Sequence, residues 1–278
     1  MPATLIDQFI EQGIYLRNWS PKTVRTYRQS LAPLPLDGPL SKATLNAIVI
    51  GLREKGLTPG GINVRLRSLN SFLTWLHEDG HVPERLKVKL LRAERKALST
   101  FADGDIRKLV AFRPTEDVQH RAWTLLMVLL DTGLRIDEAL GLERARVNLE
   151  AFTITVNGKG SRERIVPIST EGRRHLFRLM SKTKGRFVFC TRTDDRMSYR
   201  NAYRDIHRVC TAVNLKGPHV HPHAFRHYFA VSYIRAGGDI YRLSRILGHA
   251  SISTTQLYLR SMGVEHLREG HHSPLMRT

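Results

Sequence analysis

Helical patterning runs through most of this 278-residue chain and limits the folds that are open to it. Apolar residues recur every three or four positions over long stretches, as they do on the buried face of an amphipathic helix. Helix starts are also marked, because Ser20 and Thr58 each stand directly before a Pro, which is an N-cap followed by Pro at the first helical position. These features predict a mainly α-helical protein.

Only one stretch has a clear β pattern. Residues 152–156 and 164–168 alternate apolar and polar side chains around the Gly-containing loop NGKGSR, which predicts a β-hairpin. The helices are predicted over 3–16, 20–31, 41–55, 58–78, 103–112, 118–131, a short segment after Gly133, 170–181, 198–212, 222–236, 239–247 and 251–260. The predicted fold class is therefore α+β, mainly α with a small antiparallel sheet.

The length of the chain and its pattern predict two domains. We predict an N-terminal helical domain over 1–80 and a larger domain over 99–278, with a C-terminal tail from about 261. Between them, residues 81–98 lack clean periodicity and are rich in Lys and Arg, which predicts a basic linker.

The charge of the chain indicates its partner. Lys and Arg number 44 against 25 Asp and Glu, a formal net charge of +19, and the excess is present on both sides of Leu98. Such a surface favours a polyanion, and nucleic acid is the commonest one inside cells. The longest apolar run, Thr124–Leu130, is far too short to span a bilayer, and the N-terminal residues do not have the pattern of a signal peptide. We therefore expect a cytoplasmic protein that has no contact with a membrane.

The sequence gives little support for a metal site or a disulfide. The only two cysteines, Cys190 and Cys210, are expected to be reduced and structural. His219, His221 and His223 alternate along the chain, but no Cys or acidic ligand stands beside them at a fixed spacing. We predict neither a metal nor a cofactor.

Three segments carry residues suited to metal-free cleavage of a phosphodiester, which requires cations, a nucleophile and an acid for the leaving oxygen. In LDTGLRIDEALGL, Arg135 follows the helix end at Gly133 and precedes Glu138 by three residues. Arg is a natural clamp for two phosphate oxygens. By itself, this segment favours a turn with a surface Arg–Glu pair.

The other two segments lie nearer the C-terminus. HPHAFRHYFAVSYI places His223, Arg226 and His227 on one stripe of a helix, a pattern that by itself favours a solvated face. RILGHASISTTQLYLR exposes His249 in a turn and reaches Tyr258 two helical turns later. A lone Tyr is usually a packing residue, so chemistry alone does not single out Tyr258.

The order of these elements, Arg…Lys…HxxR…LGH…Tyr, resembles the catalytic domain of the tyrosine recombinase or phage integrase family, and specifically the simple two-domain type similar to Xer-like recombinases. The matching stretches are TGLRIDEALGL, NGKGSRERIVPI, HPHAFRH and LGHASISTTQLYL, spread over about 99–260. The N-terminal helices resemble the core-binding domain of that family, through size, position and basic charge.

The resemblance implies which residues contact the scissile phosphate. Arg135 and Arg226 would clamp it, His249 would donate a hydrogen bond to it, and Glu138 would be an acidic residue that supports the site.

It also implies which residue attacks the phosphate and which residues transfer protons. Tyr258 would be the nucleophile, His223 the acid/base that handles the tyrosine proton, and Lys159 the general acid for the departing 5′ oxygen. Arg162 and Arg164 share the loop with Lys159, but Lys can give up a proton and Arg essentially cannot.

The function that follows is site-specific recombination or integration, in which double-stranded DNA is cut and rejoined through a 3′-phosphotyrosyl intermediate. The resemblance implies a homotetramer on two synapsed sites, a monomer or dimer free in solution, and accessory DNA-bending proteins as candidate further partners. One alternative is a type IB topoisomerase, which the short length and the TGLR and LGH motifs disfavour. The other is a non-catalytic DNA-binding regulator, whose function would survive Tyr258→Phe.

Overall fold

A computed structural model describes residues 4–35, 40–93, 101–158, 163–217, 220–249 and 251–260, with residues 259 and 260 described by their backbone only. The chain divides into two compact units, Met1–Lys96 and Ala97–Thr278, which are described separately. The predicted fold class is confirmed, since the described residues are mainly helical with one small antiparallel sheet. Within these ranges, no helix is long and apolar enough to cross a membrane.

The first unit is a bundle of four helices. Each begins after a Ser or Thr whose side-chain oxygen accepts a hydrogen bond from the backbone N–H three residues later, which satisfies one of the free N–H groups of the first turn. These caps are Thr4, Ser20, Ser41 and Thr58. The helices are α1 (Leu5–Arg17), α2 (Pro21–Leu31), α3 (Lys42–Glu54) and α4 (Pro59–Glu78).

An aromatic cluster forms the centre of this bundle. The ring of Phe9, which is 1% exposed, lies 5.1 to 5.4 Å from the rings of Trp19, Tyr27, Phe72 and Trp75. Because these residues come from α1, α2, α4 and the turn after α1, the cluster joins three of the four helices. Aromatic pairs at such distances contribute stability beyond the area that they bury.

The segment predicted as a basic linker is held against α4 along residues 81–93. The side-chain amide of Asn70 accepts from the backbone N–H of Val88 at 2.8 Å and donates to its carbonyl at 2.9 Å. Asn63 does the same with Leu91, at 2.8 and 2.9 Å. Val88 is 6% exposed and belongs to the core of the bundle. Side-chain amides thus supply the hydrogen bonds that a neighbouring strand would otherwise give this backbone.

The second unit places a three-stranded sheet among eight helices and a single 3₁₀ turn within the described residues. The sheet has the order β1 (Val147–Asn148), β2 (Thr153–Asn157) and β3 (Glu163–Pro167), all antiparallel, with Ile154 opposite Val166. The helices are α5 (Asp103–Ala111), α6 (Asp117–Thr132), α7 (Ile136–Leu140), α8 (Thr170–Lys182), α9 (Tyr199–Ala212), α10 (Pro222–Arg235), α11 (Ile240–Leu247) and α12 (Ile252–Arg260).

Helix α6 lies at the centre of this unit. It packs against α8, α9 and α10, and its middle residues from Ala122 to Leu129 are buried almost all round. A helix that is apolar on every face is stable only inside a core. The C-terminus of α6 is therefore fixed in position, and the residues that follow it inherit that position.

We predict that replacing both Asn63 and Asn70 with Ala will release residues 81–93. Each substitution leaves one buried backbone N–H and one carbonyl without a partner, at a cost of about 1–3 kcal/mol. Trypsin should then cut this segment faster than in the wild type, since cleavage requires local opening of the backbone. The cleavage sites are Arg85, Lys87, Lys89 and Arg92.

Asn46→Ala is the matched control, because Asn46 is exposed on α3. Equal tryptic half-lives for the double variant and the control, measured by mass spectrometry, would contradict the role of the two amides.

Candidate active site

The structure brings together the ends of four helices, two from each of two stretches that are far apart in the sequence. Helices α6 and α11 end at Gly133 and Gly248, both in the left-handed conformation with φ of 63°, while α7 and α10 begin nearby. A Cβ on Gly133 would lie 2.3 Å from the ring of Phe229, so both the conformation and the space require glycine. Five of the seven predicted site residues meet around these ends: Arg135, Glu138, Arg226, His249 and Tyr258.

Glu138 organises the start of α7. Its carboxylate accepts hydrogen bonds from the backbone N–H of Arg135 at 2.8 Å and from the Arg135 guanidinium at 2.9 Å. The side chain of Glu138 is 8% exposed, whereas that of Arg135 is 42% exposed. The predicted Arg–Glu pair is therefore present, with the acid on the inside and the cation facing solvent.

Arg226 is buried, at 1% exposure, although its helical stripe by itself favoured a solvated face. That interpretation was wrong for His227 as well, which is 4% exposed. Arg226 can be buried because the carbonyls left free at the ends of α6 and α11 accept hydrogen bonds from its guanidinium. It donates to Gly133 O and to Leu247 O, both at 2.8 Å. Burial lowers the pKa of Arg226 to about 10, and the nearby charge of Arg135 acts in the same direction.

His249 lies between Arg226 and helix α12. Its Nε2 is 2.9 Å from the Arg226 guanidinium, and its Nδ1 is 2.8 Å from Thr255 Oγ1. Because a guanidinium only donates, Nε2 must be the acceptor and Nδ1 must carry the proton. Burial, together with the neighbouring positive charges of Arg226 and Arg135, lowers the pKa of His249 to about 4. The imidazole is therefore neutral at pH 7.

His221 and His223 both belong to the start of α10. His221 is the N-cap, since its Nδ1 accepts a hydrogen bond from the backbone N–H of Ala224 at 3.2 Å. His223 is exposed in the first turn. Desolvation by the surrounding chain lowers the pKa of His223, and the positive charge of Arg226 contributes in the same sense. A neutral His223 can accept a proton at neutral pH.

Tyr258 lies on α12 and is 6% exposed. It packs with Ala230, Val231 and Leu247, and its ring centroid is 5.0 Å from that of His227 and 6.1 Å from that of His249. A negative charge on Tyr258 would raise the pKa of Arg226. The phenol oxygen therefore lies within electrostatic reach of this guanidinium.

Two predictions fall outside the described ranges. Lys159, the predicted general acid, lies in the hairpin loop, and the predicted C-terminal tail starts at about 261. Their assignments stay predictions.

Arg164 and Thr255 are the site residues that sequence reasoning missed. Arg164, on β3, donates to both carboxylate oxygens of Glu138, at 3.0 and 2.8 Å. The alternation of β3 gave a sign of this, because Arg164 lies on the same strand face as the fully buried Val166, while Ile165 is 67% exposed. An Arg on the buried face of a strand indicates an acidic partner inside the fold.

The arrangement is suited to hold an oxyanion. Three guanidinium groups, those of Arg135, Arg164 and Arg226, share the single carboxylate of Glu138, the last at 4.0 Å. The local charge is thus positive in a partly buried place, where electrostatic interactions are stronger than in water. A phosphate that approaches from the exposed side of Arg135 would relieve this excess.

Comparisons with known proteins agree with this geometry. Residues 100–263 match the phage integrase family. The tyrosine recombinase XerC of Xylella fastidiosa strain 9a5c is 30% identical over 271 residues, which cover 92% of each chain. The tyrosine recombinase XerC of Yersinia pestis is 28% identical over 272 residues, covering 92% of this chain and 89% of the relative.

Solved structures show the same fold over nearly the whole chain. The integrase of the transposon Tn1549, in complex with transposon right end DNA, has a TM-score of 0.80 at 20% identity and covers 96% of this chain and 98% of its own. XerH site-specific recombinase, bound to palindromic difH substrate, has a TM-score of 0.75 at 18% identity, with coverage of 95% and 82%. The predicted family and enzyme class are therefore confirmed: this chain belongs to the phage integrase family and is a tyrosine recombinase.

Proposed function

We propose that this recombinase cuts and rejoins double-stranded DNA at specific sites, with Tyr258 as the nucleophile and Arg135 and Arg226 as the clamp on the scissile phosphate. The observation that carries the proposal is the convergence of Arg135, Arg226, His249 and Tyr258, from three separate sequence segments, around the ends of α6 and α11. Chains related to this one are named recombinases, which argues against a topoisomerase or a regulator.

The chemistry follows from where charge develops. When the Tyr258 oxygen attacks phosphorus, negative charge grows on the two non-bridging oxygens, and guanidinium groups that are already in place stabilise it. The bond to the 5′ oxygen breaks, leaving a 3′-phosphotyrosyl ester, and Lys159 is proposed to give that oxygen a proton. His223 is proposed to take the proton of Tyr258, consistent with its lowered pKa.

Rejoining is the same reaction in reverse. The 5′-hydroxyl of the partner strand attacks the phosphotyrosyl ester and releases Tyr258. One phosphodiester bond is exchanged for another at each step, so the energy of the broken bond is kept and no nucleotide triphosphate is needed.

The described conformation is a resting one for the nucleophile. Tyr258 is only 6% exposed, and the guanidinium of Arg226 already donates hydrogen bonds to Gly133, Leu247 and His249. The neutral His249 offers Nε2 as an acceptor, whereas a contact to a phosphate oxygen needs a donor. We therefore propose that DNA binding moves α12 and frees Arg226 and His249 for the phosphate.

Further parts of the proposal concern partners and location. Exchange of both strands between two duplexes breaks four phosphodiester bonds, so four copies of Tyr258 are required, which supports a homotetramer on paired sites. The first unit, with its basic segment 81–93, is proposed to bind DNA as a core-binding domain. Because the substrate is DNA and the charge is strongly basic, we propose that the protein acts in the cytoplasm.

We expect Tyr258→Phe to abolish covalent capture of DNA while leaving DNA binding within about twofold, because the ring that fills the pocket remains. The substrate is a nicked duplex whose sequence is selected from a random library by binding to the Tyr258→Phe protein. A denaturing gel then shows whether a protein–DNA adduct has formed.

Tyr233→Phe is the matched control, since Tyr233 packs against the same apolar cluster. An adduct that survives in Tyr258→Phe would overturn the assignment of the nucleophile. Tight binding without an adduct in wild type would favour the regulator.

The rate of cleavage should depend on pH through His223. Its pKa in the free protein lies below the ordinary value of 6.5, so the base form is already populated at pH 7. We expect kcat/KM, which reports the free enzyme, to be flat between pH 7 and 8 and to fall as the pH drops through a value below 6.5. His249, with a pKa of about 4, stays neutral over this range and adds no fall of its own.

In His223→Gln the decrease of kcat/KM at low pH should disappear, together with much of the activity. The control His77→Gln, in the first unit, should keep the wild-type pH profile. A profile for His223→Gln that matches wild type would contradict the proposed role.

A further inference from the structure

Arg164 joins three parts of the active site through one guanidinium group. Both of its terminal nitrogens donate to Glu138, at 3.0 and 2.8 Å, and its Nε donates to the backbone carbonyl of Ile246 at 2.7 Å. The side chains of Arg164 and Glu138 are 12% and 8% exposed. Three separate elements, β3, α7 and the last turn of α11, are thereby held by a single side chain.

The contact continues to the turn that carries His249. A Cβ placed on Gly248 would lie 3.0 Å from three atoms of the Arg164 guanidinium, so the planar group lies close against the Gly248 backbone. Any side chain at position 248 would have to displace it. Arg164 therefore contacts the residue directly before His249 as well as the carboxylate that holds Arg135.

The charges explain why this side chain matters for Arg135. Glu138 is buried and ionised: burial raises its pKa, but the hydrogen bonds from Arg164 and Arg135 outweigh burial, and the net pKa is below the ordinary value. If Arg164 were absent, the guanidinium of Arg135 would be the only one left in hydrogen-bond contact with the buried carboxylate, with Arg226 4.0 Å away. With Arg164 present, Arg135 keeps an exposed face, at 42% exposure, from which it can meet a phosphate.

We propose that Arg164 is a positioning residue for the phosphate clamp: it neutralises Glu138 and braces the α11 turn, so that Arg135 and His249 are held for the scissile phosphate. This inference rests on the proposed function of Arg135 and His249. Arg164 itself is not proposed to touch DNA. Its fork is needed, because the planar guanidinium presents separate N–H groups to both carboxylate oxygens and to a carbonyl, whereas the Lys ammonium is a compact point charge without that shape.

The test compares Arg164→Met with Arg146→Met, a matched control. Arg146 pairs with Glu163 at 2.6 Å beside the same sheet, but with side chains that are 34% and 56% exposed, and exposed pairs contribute little. Each variant is given the nicked duplex with either an ordinary scissile phosphate or a neutral methylphosphonate. Arg135→Met shows how a damaged clamp responds to both substrates.

On the ordinary phosphate, we expect Arg164→Met to slow single-turnover cleavage by about 100-fold, as misplacement of a clamping group does. On the methylphosphonate, which has no charge to stabilise, the difference from wild type should shrink to less than about tenfold. Arg135→Met should show the same pattern, and Arg146→Met should match wild type on both substrates.

A merely structural role would slow both substrates equally and would overturn the proposal, as would an Arg164→Met rate on phosphate equal to that of Arg146→Met. If Arg164→Met does not fold, as judged by circular dichroism, Arg164→Lys carries the same test, because it keeps a positive charge against Glu138. Arg164→Lys should be slowed by about tenfold on phosphate only.

The outcome also separates this inference from the proposed function. Failure of wild type to form an adduct through Tyr258 would refute the function itself. Normal wild-type cleavage with no substrate-dependent defect in the Arg164 variants would refute only the role of Arg164.

Discussion

One buried carboxylate and the end of one helix hold three arginine side chains together in this protein. Arg135, Arg164 and Arg226 repel one another, and each would be costly to desolvate alone. Glu138 accepts hydrogen bonds from Arg135 and Arg164 and lies 4.0 Å from Arg226. The last carbonyls of α11, from Ile246 to Gly248, accept hydrogen bonds from all three arginines. A helix C-terminus suits this purpose, because its free carbonyls and its dipole both favour cations.

This arrangement leaves the site with more positive charge than it neutralises internally, and the proposed function uses that excess to bind a phosphate. The pKa values of His223, His249 and Arg226 are all lowered, first by burial and then by neighbouring positive groups. A phosphate group brings the missing negative charge. Stability and catalysis are therefore coupled, since the free protein retains unfavourable repulsion that its DNA substrate removes.

The same residues that build the clamp also keep it at rest. In the described conformation Arg226 donates to Gly133, Leu247 and His249, which leaves the proton of His249 on Nδ1, from where it is donated to Thr255 Oγ1. Tyr258, on the same helix as Thr255, packs in an apolar cluster. Because α12 carries both Thr255 and Tyr258, one movement of this helix would release His249 and expose the proposed nucleophile together.

The sequence by itself determined the helices, the hairpin and the family, because caps, periodicity and ordered motifs such as TGLR and LGH are local patterns. Through the resemblance it also named five of the residues that meet at the site, but not Arg164 or Thr255. What it could not decide was burial and partnership. Arg226 and His227 looked solvated on their own helix, and Arg164 looked like one more basic loop residue. The groups that accept hydrogen bonds from the two arginines lie more than 20 residues away in the sequence. Such partners are set only when α6, α7, α11 and β3 pack together, because a lone stripe or strand carries no information on which carbonyls and carboxylates it will face.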